Sequence, residues 1–160
     1  MSLSGAGMTR KKVGRRTMMK VDDATRNYIQ KHFDYTDEEM KVFMENPRNR
    51  DVFSKAHLFA NKTIVFEVVD SHGCNSQHKK GDKLCFDGAG NLLTNRSPDR
   101  VCIYALNAAS GLIFAAGELL MAGVDPNEMR FKKTGCFDVG VKCGGWGRIV
   151  MECRVEDRKG

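Results

Sequence analysis

The chain has 160 residues, of which 41% are hydrophobic and 29% charged, and a net charge of +6. That length suits one domain with an appended arm and a core large enough to need no disulfide staples, and the composition excludes a disordered or fibrous protein. The N-terminus lacks the apolar stretch of a secretory signal, so the six cysteines are expected to be reduced thiols in the cytoplasm, which excludes a disulfide scaffold.

The charge is unevenly placed. Residues 1–21 hold Arg10, Lys11, Lys12, Arg15, Arg16 and Lys20 and no acid, while the other 20 basic residues match the 20 acidic ones. This segment is expected to be a basic disordered arm, and its opening MSLSGAGM is expected to take no part in the fold. Such an arm could bind nucleic acid or an acidic partner. No aromatic residue interleaves its charges to stack on bases, so a solvated tail is favoured over a nucleic-acid module.

Residues 22–60 read as a helical N-terminal segment. Asp22 or Asp23 can cap a helix running to about His32. Thr36 and Glu39 form a capping box before a helix that carries Met40, Phe43 and Met44 on one face. Asn46 and Pro47 restart the pattern, with Val52, Phe53, Ala56 and Phe59 or Ala60 as the apolar stripe. The pattern then changes: KTIVFEVV is a buried strand, and DKLCFD alternates, with Leu84 and Phe86 opposite Lys83, Cys85 and Asp87. Ser97 and Pro98 are expected to open a long helix that Gly123 closes. Val101 to Ala122 has Glu118 as its one charge and is long enough to span a bilayer. Asn107, Ser110 and the lack of aromatic belts favour a buried helix of a soluble protein, with no membrane role. MRFKKTGC is a further strand. After the glycine-rich VGVKCGGWG, the stretch RIVMECRVE places Ile149, Met151, Cys153 and Val155 on one face. The predicted fold class is α+β: short N-terminal helices, then β-hairpin, long apolar helix and β-hairpin, forming a small, mostly antiparallel sheet over residues 61–157.

The cysteines sort by position. Cys153 is a core residue, and Cys85, on a polar strand face, is an incidental thiol. Cys74, Cys102, Cys136 and Cys143 lie in loops or at element ends, where reactive groups gather. Cys102 falls in the first turn of the long helix, whose positive end favours a thiolate. If the two hairpins share one sheet, their ends bring Cys74, His78 and Cys136 together, and Cys102 closes the set. Three thiolates and an imidazole suit Zn or Fe; with Cys143 in place of His78, four thiolates suit an iron–sulfur cluster. His72, in the same loop as Cys74, is an additional candidate, whereas His32 and His57 read as structural. Candidate acids or bases are His72, Asp82, Asp138 and Glu118. Glu118 is 16 residues from Cys102, about 24 Å along a helix, so the two cannot share a site. CGGWG either approaches a ligand, with Trp146 as a platform, or is a bulged turn.

From about Lys62 to Val155 the chain resembles a family of small uncharacterised prokaryotic proteins. The resemblance is carried by CNSQHKKGD with Cys74 and His78, by RVCIYAL with Cys102 and by TGCFDVG with Cys136. Ile103 stands where members often have proline, CFDV stands where they have CPDP, and KCGGWG adds Cys143. The resemblance implies a shared Cys3His site at Cys74, His78, Cys102 and Cys136, and carries no known reaction. The expected function is therefore a small metal-binding protein with one Zn or Fe per chain in an accessory or small-subunit role. The alternatives are a metal- or thiol-dependent enzyme, an iron–sulfur redox protein using Cys143, and a nucleic-acid module. The small residues of the long helix, Gly111 among them, suggest a homodimer through it, and a larger protein partner fits the small-subunit role.

Overall fold

The computed structural model describes residues 21–158, in two compact units that divide after Ser54. The basic arm, apart from Val21, lies outside the described residues.

The first unit consists of α1 (Asp23–Phe33), α2 (Asp37–Glu45) and α3 (Pro47–Ser54). Each helix starts at the cap that its sequence announces. An Asp22 carboxylate oxygen accepts the Thr25 N–H at 2.7 Å, and the Thr36–Glu39 capping box closes at 3.2 and 2.8 Å. The Asn46 side chain accepts the Arg48 N–H at 2.9 Å. These bonds satisfy amide donors that a helix start leaves without partners. Ile29 and Met40 are fully buried, and Phe53 meets Phe33 and Phe43 edge-on at 6.2 and 5.3 Å.

The second unit holds α4 (His57–Ala60), β1 (Lys62–His72), β2 (Lys83–Asp87), α5 (Ile103–Ala122), β3 (Lys133–Gly135) and β4 (Arg148–Asp157). The sheet has the order β2-β1-β4-β3, and every neighbouring pair is antiparallel. This is the hairpin–helix–hairpin arrangement of an α+β protein. The stripe from Val52 to Phe59, expected on one helix, is divided between α3 and α4. Phe59 lies against Gly117 of α5, and the Lys55 ammonium donates to the carbonyl of Met121 at 3.1 Å, near the end of α5. These tertiary contacts outweigh helical continuity, which is only a weak local preference.

The core lies between one sheet face and α5. Ile64, Phe66 and Val68 of β1 join Leu84 and Phe86 of β2 and Ile149, Met151, Cys153 and Val155 of β4. Phe66 and Phe86 meet edge-on at 5.8 Å. From α5 come Ala105, Ala109 and Ala116, which share one side of the helix and leave the strand side chains room beneath it. Ile103, Tyr104 and Phe114 stay exposed. By length and composition α5 could cross a bilayer, yet it places one face in this core. The helix expected to be buried is so on one face, because one sheet covers one side of a cylinder. A side chain added at Gly111 would meet nothing within 4 Å, so the small residue there is not required by packing within the chain.

Two other expectations change. Helix α5 begins at Ile103 with Cys102 as its N-cap, five residues after Ser97. Ser97 instead ends a short turn over Thr94–Arg96, and its hydroxyl accepts the Cys85 N–H at 3.0 Å. Arg96 donates to the Thr63 hydroxyl at 3.2 Å. This segment packs on the side of the sheet that alternation marks as polar, so Cys85 is buried rather than incidental, and its burial pushes the thiol pKa up.

Cys153 is a core residue, as its strand pattern indicates, and burial pushes its thiol from an ordinary value of 9.0 up to about 11. An acid with a raised folded pKa keeps its proton in the native state while the unfolded chain loses it. Stability from this group is therefore complete below pH 9 and declines as pH rises towards 11, by roughly 2–3 kcal/mol. Urea titrations from pH 8 to 11 should show a steeper loss for the native chain than for Cys153→Ala. Parallel losses would contradict the assignment.

Candidate metal centre

At one end of the β1–β4 ladder, three chain segments turn at the mouth of α5. Strand β1 carries a register shift between Val68 and Asp70 and runs on to pair His72 with Arg148. The loop to β2 is held at its base by Val68, which donates to Asp82 O and accepts from the Gly81 N–H, both at 2.8 Å. Within that loop the Gln77 N–H donates to the carbonyl of Cys74 at 2.9 Å, and Gln77 adopts a left-handed φ of 61°. This turn brings Cys74 and His78 to the same wall.

Cys136 extends the β3–β4 ladder by one residue. Its N–H donates to Ile149 O at 3.1 Å, and its sulfur accepts the Ile149 N–H at 3.3 Å. Cys102, as N-cap of the 20-residue α5, makes no side-chain capping bond. Its sulfur thus stands at the N-terminal end of a long helix.

Cys74, His78, Cys102 and Cys136 line a single cleft of about 190 Å³. His78 is 3% exposed, and its Nε2 is buried without a hydrogen-bond partner. Its Nδ1 lies 3.8 Å from the Asp82 carboxylate, and its carbonyl accepts the Ser71 hydroxyl at 2.6 Å. An orphaned buried imidazole nitrogen carries a desolvation cost that a ligand in the cleft would remove. As placed, no three of the described His, Cys, Asp and Glu side chains converge on one ion position.

Asp138 and Trp146 also line the cleft. The Asp138 carboxylate accepts N–H bonds from Gly140 at 2.8 Å, Gly147 at 3.1 Å and Trp146 at 3.1 Å, which tie the glycine-rich loop into a ring. The bonds from Gly140 and Gly147 hold its carboxyl below the usual carboxylate range. Its oxygens are thus engaged by the loop. Trp146 is 82% exposed beside the cleft, where Phe137 stacks on Tyr104 at 6.0 Å.

Other sequence candidates fall elsewhere. His72 and Cys143 line a second cleft with Lys142 and Arg148, so Cys143 does not join the set around His78. Glu118 is exposed on α5 and does not line the first cleft. Sequence reasoning missed Tyr104 and Arg148, both of which line the first cleft. Tyr104 follows Cys102 by two residues and Arg148 opens β4, but neither position carries a local signal. In comparisons with known proteins, no family model, no curated protein and no solved structure matches the chain.

Proposed function

We propose that this chain is a metal-binding protein whose centre is held by Cys74, His78, Cys102 and Cys136. The observation that carries the reading is the buried, unpartnered Nε2 of His78, in one cleft with three thiols drawn from separate segments. Soft thiolates with an imidazole select zinc or iron. The Asp82 carboxylate, 3.8 Å from the other ring nitrogen and held by the Lys79 N–H at 2.8 Å, places a negative charge behind the imidazole without hydrogen-bonding to it. Four protein ligands leave no position open to a substrate, which favours a structural or carrier role over hydrolysis at an open metal position. Exposed Phe137 and Trp146 beside the cleft fit a small subunit that meets a larger protein.

Elemental analysis of protein purified without added metal or chelator tests the reading. At least about one equivalent of zinc or iron per chain is expected, and Cys136→Ala should lose it together with much of the thermal stability, because binding energy is folding energy. Less than about a tenth of an equivalent in the native chain would reject the proposal.

A further inference from the structure

Resting on the metal-binding reading, we infer that the guest is a cuboidal iron–sulfur cluster, ligated by Cys74, Cys102, Cys136 and His78, rather than a single ion. The first reason is spacing. A lone zinc held at about 2.3 Å by four ligands requires donor atoms about 3.8 Å apart. Here the four residues line one cleft, and as placed no three of them group around one ion position. A cluster reverses that requirement, since each protein ligand binds a different iron at a separate corner. The second reason is volume. The cleft of about 190 Å³ exceeds more than tenfold the roughly 10–15 Å³ that one water-sized guest needs.

The surroundings suit the same guest. The three thiols pack against the apolar core cluster, whose Ala105 and Ile149 also line the cleft. The Ile149 N–H already donates to the Cys136 sulfur at 3.3 Å, and such bonds to sulfur stabilise ligating thiolates and set cluster potentials. His78 offers its free Nε2 as the fourth ligand, and a neutral imidazole in place of a thiolate removes one negative charge from the set. Ligation of a preformed core releases one proton from each of the three thiols and transfers no electron.

The test is anaerobic reconstitution of the full chain with equal amounts of ferrous and ferric iron and with sulfide, followed by assays for iron, acid-labile sulfide and zinc. About four irons and four sulfides per chain are expected, with broad sulfide-to-iron absorption in the visible. Cys102→Ser and Cys136→Ser should each lose most of both, with circular dichroism reporting whether each variant is folded. His78→Cys should retain the cluster, because a thiolate replaces the imidazole. Cys143→Ser should bind as the native chain does, because Cys143 lines the other cleft. Two or fewer irons, or one zinc or iron without labile sulfide, overturns the cluster and leaves the metal-binding reading standing. No bound metal rejects both. Equal loading of native chain and a folded Cys102→Ser/Cys136→Ser double variant overturns the ligand assignment.

Discussion

Phe66→Ala is expected to destabilise the sheet unit by about 3–5 kcal/mol, the range for removing a buried aromatic ring without full collapse of the cavity. Phe66 is fully buried at the centre of β1, between the neighbouring strands and beneath α5, with Phe86 edge-on against it. Its neighbours are held by backbone ladders on both sides, so they have little freedom to close the gap. For a unit of this size the melting temperature should fall by more than about 12 °C. Phe66→Leu, which retains more of the volume, should cost clearly less. Equal and small losses in the two variants would mean that the ring is not the centre of the core.

The second large effect is expected at Gly147. A Cβ there would overlap the carbonyl of Gly73 and lie 2.7 Å from the carbonyl of His72. Those are backbone atoms of the strand end that leads into Cys74, so no flexible side chain can move aside. Gly147→Ala must therefore push the β1 end away from β4. Overpacking of this kind costs about 1–3 kcal/mol, and more where backbone alone must shift. The same movement separates Cys74 from Cys136, since Ile149, two residues on, positions the Cys136 sulfur. The melting temperature should consequently fall, and with it any metal content that the proposed centre gives the native chain. Gly111→Ala is the control: its Cβ meets nothing, and alanine gains up to about 1 kcal/mol of helix propensity over glycine. If Gly147→Ala melts and binds metal as the native chain does, the close approach does not shape the cleft.

Much of this architecture is legible in local patterns. The Thr36–Glu39 box, the Asn46–Pro47 start and the Gly123 end depend on contacts within a few residues, so sequence places them well. The period of two in β4 likewise identifies Ile149, Met151, Cys153 and Val155 as its buried face. Alternation failed at Cys85 because the segment that ends at Ser97 binds the Cys85 backbone and its Arg96 reaches Thr63 on the side marked as polar. The start of α5 failed for a related reason. Ser97 and Pro98 form a plausible cap, but the Ser97 hydroxyl is engaged by the backbone of β2, and the helix starts later at Cys102.

By itself, then, the sequence determined the element types, many of their ends, the buried stripe of β4 and the placing of Cys74, His78, Cys102 and Cys136 in loops or at element ends. Those features follow from side-chain identity and from periodicities of a few residues. Only the tertiary structure decided that these four residues share a cleft, that Cys143 and His72 line another, and that Tyr104 and Arg148 belong beside the first. The β2-β1-β4-β3 order joins strand ends some sixty residues apart, and helix α5 crosses the sheet so that its N-terminus meets them. Such meetings depend on strand order and on close backbone approach at Gly73 and Gly147, which no local pattern encodes.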